Sequence, residues 1–139
     1  MKEEVRVLWV SRHQPVAAQL DVLKQKLGDV RVIVWQGHAP NAETVLEEAL
    51  RVGARYIVPV LPLSFIARLA ELAPQKGITV LFSRMEPIAS TRDPEEVLRL
   101  LREKPGWRAA VTYADGVTRV YEFVRFEVVR SVELVTEPL

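Results

Sequence analysis

The sequence predicts an α/β fold: a four-stranded parallel core in the order 2-1-3-4 or its mirror-side variant, carrying a C-terminal antiparallel β-hairpin extension. Three observations predict it. Up to Arg84, four apolar runs alternate with helical patterns, the signature of right-handed crossovers between parallel strands. Those runs are near-continuous rather than alternating, as strands covered on both faces are. After Gly106 the pattern changes, and two strand-like runs flank Ala114-Asp115-Gly116, a good hairpin turn.

The first strand is expected over residues 4–10. Pro15, with its fixed φ and missing N–H, suits the first position of helix one. Val16, Leu20, Leu23 and Leu27 then share a face, and Gly28 stops the helix. Residues 30–35 give strand two, and Asn41 caps helix two, with Val45, Ala49 and Val52 on one stripe and Gly53 at its end. Strand three covers residues 55–60, with Pro59 placed at its frayed end because proline removes a ladder hydrogen bond.

Helix three follows over residues 63–73, closed by Pro74 and Gly77, and strand four spans residues 78–82. Asp93-Pro94-Glu95-Glu96 combines a capping side chain, a proline at the first position and acids at the positive end of the dipole, so a fourth helix starts there and ends near Lys104. Residues 107–113 and 117–128 form the hairpin, and Val132, Leu134 and Val135 suggest one or two further strands. The whole is a Rossmann-like three-layer sandwich. Trp9, Trp35 and Phe82 are expected in its core, and Tyr113, Tyr121 and Phe123 on a hairpin face or subunit contact.

The 139 residues suit one domain, a βαβαβαβα core over residues 1–104 and a β extension over 105–139. A net charge of +1 supplies no global field to recruit long nucleic acid, although a small anion needs only two or three local arginines. With no cysteine there is neither a disulfide framework nor a thiolate site. No apolar run reaches the roughly 18–20 residues that span a bilayer. Met1-Lys2-Glu3-Glu4 leads straight into a strand without the layout of a signal peptide, which predicts a cytoplasmic protein. A single asparagine, two methionines and many Arg and Glu residues match the composition of thermophile proteins.

In open parallel sheets, ligands bind beyond the carboxyl ends of the strands. Those ends deliver Ser11, Arg12 and His13 from strand one, and Gln36, Gly37 and His38 from strand two. Leu61, Pro62, Leu63 and Ser64 follow strand three, and Ser83 and Arg84 follow strand four. Both histidines of the chain are thus predicted on one rim with two Ser-Arg pairs. An arginine fork binds phosphate bidentately and stays charged, a helix N-terminus adds anion affinity, and histidine moves protons near neutral pH. Together they suit a phosphodiester or other anionic ligand without requiring a metal or a cofactor. A metal centre has too few ligands here, GxSxG is absent, and so are GxGxxG and GxxxxGK[ST]. Plain surface or helix-start roles for Ser11, Arg12, His13, His38, Ser64 and Arg84 stay open beside the ligand reading.

The stretch "VSRH" at a strand end before a proline-containing helix start, together with "VLPL" ending a third strand before an apolar helix, resembles the small stand-alone CRISPR-associated proteins of Rossmann-like fold. The resemblance covers residues 5–84; the segment "EPIASTRDPEEV" and the hairpin lie outside it. Several members of that group are ring nucleases of antiviral defence, usually homodimers, which bind and cleave cyclic oligoadenylate second messengers. The resemblance implies metal-independent attack of a ribose 2′-hydroxyl on its own phosphate. His13 would then be general acid or base, Arg12 would stabilise phosphoryl charge, and Ser11 would hold the phosphate. Pro62, Leu63 and Ser64 would line a base pocket. Two other readings use the same sequence: a nucleotide-binding sensor or sponge without turnover, and an interaction protein working through strands over residues 117–135. Homodimerisation is expected from the apolar content of the hairpin.

Overall fold

The computed structural model describes residues 4–139; the start of the chain, residues 1–3, on which the signal-peptide reading partly rests, lies outside the described residues. In chain order the elements are β1 (Val5–Val10), α1 (Ala17–Leu27), β2 (Val30–Trp35), α2 (Ala42–Val52), β3 (Tyr56–Pro59), α3 (Leu63–Leu72), a 3-10 turn (Ala73–Lys76), β4 (Thr79–Thr91), α4 (Pro94–Glu103), β5 (Arg108–Thr112) and β6 (Thr118–Val128). The protein is α/β, and among the described residues six strands join one mixed sheet in the hydrogen-bonded order β2-β1-β3-β4-β6-β5. No helix among the described residues is long and apolar enough to cross a membrane.

The chain gathers into two compact units, and neither is a continuous segment. The first holds residues up to 13, residues 29–82 and the tail from 127. Here β1 pairs in parallel with β2 on one side and β3 on the other, and β3 pairs in parallel with the start of β4. Successive residues of a strand point to opposite faces, so the burial of Val7, Leu8, Trp9 and Val10 in a row shows that β1 is covered on both. Helix α2 is held at both ends. The Asn41 side chain accepts from Thr44 N–H at 2.8 Å, and Gly53 closes the last turn in the left-handed region. Its buried positions Ala42, Val45, Leu46 and Ala49 repeat at helical spacing and join Leu8, Val10, Ile57, Leu69 and Val80 in one core. Burying a side chain such as Leu or Ile there stabilises by roughly 1.5–3 kcal/mol. Pro59 is the last residue of β3, where its missing N–H interrupts nothing further along the strand.

The second unit holds residues 14–28 and 83–126. Helix α1 starts at Ala17, two positions after the proline expected to open it. The Gln19 side chain sets that start, because its Oε1 accepts from Val16 N–H at 2.8 Å and makes Val16 the cap. Its buried positions are Ala18, Gln19 and Leu23, so the expected Val16-Leu20-Leu23-Leu27 stripe is only half-buried apart from Leu23. Helix α4 starts as the sequence predicts, with Asp93 accepting from Glu95 N–H at 3.0 Å and Pro94 in the first turn. The hairpin also forms, β5 antiparallel to β6, with Gly116 at φ +83 in the turn. Phe123 is buried, flanked by Trp107 at 6.2 Å and Phe126 at 5.0 Å between ring centroids.

Three expectations are corrected. The parallel strands do not make a self-contained four-stranded core with a hairpin appended, since the sheet is six-stranded and mixed and α1 groups with the second unit. Strand β4 does not stop at residue 82 but runs to Thr91, because Ser83, Arg84 and even Pro87 stay extended. The strands expected around Val132, Leu134 and Val135 are absent. Among the described residues the tail after Val128 has no partner strand; Val129 N–H donates to the Val80 carbonyl at 2.9 Å, and Leu134 and Val135 are each 91% exposed.

Candidate functional site

Strands β1, β2 and β3 run in parallel, so their carboxyl ends lie at one end of the first unit. There the chain leaves each strand through a short loop, and those loops enclose a cavity of about 550 Å³. That volume lies within the roughly 300–1,000 Å³ usual for small-molecule sites. Its polar lining includes Ser11, Arg12, His13 and His38, and its apolar lining includes Val60, Leu61, Pro62 and Phe65. Both histidines of the chain therefore line the same cavity.

The β1 loop is held from within. Ser11 N–H donates to the Trp35 carbonyl at 3.2 Å, which continues the β1–β2 ladder one residue past the strand. Ser11 itself is buried, and its Oγ accepts from His13 N–H at 3.1 Å. This Ser-turn fixes the backbone of Arg12 and His13, whose side chains are exposed. Gln36 adds a longer contact at 3.4 Å, its Nε2 donating to the Arg12 carbonyl. The β2 loop is shaped by Gly37. A Cβ at that position would fall 2.6 Å from Trp35 Nε1, so the close approach of the indole requires glycine there.

Two helices begin beside the cavity. Pro40 precedes the Asn41 cap of α2, and Pro62 is the cap of α3 without a side-chain hydrogen bond to the first turn. The starts of both helices, the positive ends of their dipoles, thus border the cavity that Arg12 also lines. Among the described residues, no aspartate or glutamate lines it. The cavity's lining offers an arginine, two histidines and two helix starts to an anion, and apolar residues to whatever the anion carries.

Of the residues expected at the rim, Ser11, Arg12, His13, His38 and Pro62 come together at the cavity, and Gln36 braces its edge. Leu63 stands 64% exposed at the start of α3. Ser64 lines a separate, shallower depression of about 340 Å³ with Glu43 and Arg68. In it Arg68 Nε donates to Glu43 Oε1 at 2.9 Å, and this hydrogen bond holds the Glu43 carboxyl below its ordinary range. Ser83 and Arg84 do not line the cavity; they belong to the second unit, where Ser83 Oγ accepts from Gln19 Nε2 at 2.9 Å.

Sequence reasoning missed Phe65, Ala39 and Pro40 as lining residues. Phe65 carried a usable signal: helical side chains lean toward the N-terminus, so an aromatic in the first turn covers the helix start. Among the described residues, no three His, Cys, Asp or Glu side chains gather into a set able to hold a metal ion. Comparison with known proteins finds no matching family model, no curated relative and no similar solved structure.

Proposed function

We propose that the cavity at the carboxyl ends of β1, β2 and β3 binds the phosphodiester of a cyclic oligoadenylate and that the protein cleaves it. On this reading the protein is a ring nuclease of CRISPR-associated antiviral defence, Rossmann-like in descent and cytoplasmic. The observation that carries it is the convergence of Arg12 and both histidines on one cavity whose remaining lining is largely apolar. Arg12 grips the non-bridging oxygens, and the starts of α2 and α3 add to the positive potential. The apolar lining, with Phe65 in it, receives an adenine.

In the reaction, the ribose 2′-oxygen forms a bond to the adjacent phosphorus and the bond from phosphorus to the 5′-oxygen breaks. One imidazole takes the 2′-hydroxyl proton and a proton is delivered to the leaving 5′-oxygen. The products are a 2′,3′-cyclic phosphate and a 5′-hydroxyl. The chemistry asks for no cofactor. His13 is the acid or base. Ser11, buried and engaged by His13 N–H, positions the loop as well as offering its hydroxyl to phosphate.

One observation favours binding without turnover: among the described residues, no carboxylate lines the cavity to orient either imidazole. A sensor or sponge would look the same. Binding is tested by thermal shift with cyclic tetra-adenylate, alongside the imidazole resonances of the two histidines. The reading predicts stabilisation and movement of both resonances. It also predicts that Arg12→Ala weakens binding roughly 10- to 100-fold, the loss of a charge-assisted hydrogen bond. Absence of both signals overturns it.

A further inference from the structure

Strand β2 ends the hydrogen-bonded order of the sheet, and among the described residues it pairs with β1 alone. Its sequence, Val30-Arg31-Val32-Ile33-Val34-Trp35, carries none of the usual guards of an open edge: no proline, no lysine, no glycine and a single charge. Val32, Ile33, Val34 and Trp35 are only half-buried in one copy of the chain. The opposite edge, β5, differs: it offers two alanines, and its Arg108 is engaged by Glu103 and Glu122.

The β1–β2 ladder fixes which main-chain groups of β2 face outward. Val5 N–H donates to the Asp29 carbonyl at 2.9 Å and Ser11 N–H to the Trp35 carbonyl at 3.2 Å. Along a strand, the N–H and C=O of one residue point to the same side, and that side alternates. Asp29, Arg31, Ile33 and Trp35 therefore turn their main-chain groups toward β1. Val30, Val32 and Val34 turn theirs toward the open edge.

We infer that a second copy of this chain adds its β2 antiparallel to this edge, about a two-fold axis at Val32. In that register Val32 pairs with the partner's Val32, and Val30 with the partner's Val34 and the reverse. Each pair exchanges both main-chain bonds, so every outward group of the three valines is used. The three valines of each copy meet on one face as a continuous β-branched patch. Arg31 stands opposite the partner's Ile33, so no like charges face each other. An axis at Arg31 would set two guanidinium-bearing residues directly opposite and leave Val34 unpaired. This inference does not depend on what the cavity binds.

The test is the mass of the full chain by light scattering, from about 1 to 100 µM, with far-UV circular dichroism as the check on folding. The wild type is expected as a dimer. Val32→Lys, which puts two ammonium groups at the axis, is expected as a monomer with an unchanged spectrum. A second variant fixes the register. The chain has no cysteine, so in Val32→Cys any disulfide joins two copies. A hydrogen-bonded antiparallel pair holds its Cα atoms about 5.5 Å apart, within disulfide range. Mild oxidation of Val32→Cys is expected to give a covalent dimer. A wild type that stays monomeric throughout, or a Val32→Cys protein that stays uncrosslinked, overturns the inference.

Discussion

A serine sets the backbone under Arg12 and His13, and a glycine shapes the loop that follows the adjacent strand. Ser11 turns the backbone under them by accepting from His13 N–H, and Gly37 lets the Trp35 indole lie against the neighbouring loop. Gly37→Ala is therefore expected to push the indole aside and destabilise the fold by roughly 1–3 kcal/mol, as overpacking does. Urea unfolding followed by tryptophan fluorescence measures it. An unchanged midpoint would mean that the indole moves freely. At this scale much of the site was legible. The hydrophobic run of β1 ends abruptly at Ser11-Arg12-His13, and the residues after β2 and β3 are equally marked by glycine and proline. Ser83 and Arg84 misled because a serine and an arginine after an apolar run read as a strand end. The chain nevertheless stays extended to Thr91.

At the scale of elements, the second unit ties its hairpin to the end of α4 through one arginine. Arg108 Nη1 donates to the Leu100 carbonyl at 2.7 Å and contacts Glu103 at 2.9 Å, while its Nε reaches Glu122 at 3.0 Å. The hydrogen bond from Arg108, followed by that from Lys104, holds the Glu122 carboxyl below its ordinary range. A depressed carboxylate contributes stability that is present above the ordinary glutamate pKa near 4.5 and is lost as pH falls through the folded value. Glu122→Gln is expected to lower the thermal midpoint at pH 7, and the gap to wild type is expected to close as the pH drops below about 4.5. A gap independent of pH would show that the charge of Glu122 is not what matters. The hairpin and α4 could be read in advance because turn and cap chemistry is local. The start of α1 could not, because it depends on Gln19 reaching back to Val16 N–H, a bond that no periodicity announces.

For the whole molecule, composition and alternation were enough to predict an α/β protein, but not the way its strands are shared. A strand that runs from Thr79 to Thr91 serves both compact units, and local patterning gives no sign of that division. The same limit applies to the tail, where apolar residues at strand-like spacing find no strand to pair with among the described residues. The strand reading of the hairpin holds up to Val128, so an interaction surface over residues 117–135 loses its last third as a strand. The open edge of β2 replaces the hairpin as the surface we assign to a second copy of the chain.

The central claim is that the Arg12–His13 cavity is a site of phosphodiester cleavage. Its most direct test is to incubate the protein with cyclic tetra-adenylate in the presence of a chelator and resolve the products by chromatography, with His13→Ala in parallel. The account predicts a linear product ending in a 2′,3′-cyclic phosphate, lost in His13→Ala while binding is retained. Intact ligand after prolonged incubation with a protein that demonstrably binds it, or equal turnover by His13→Ala, would contradict it.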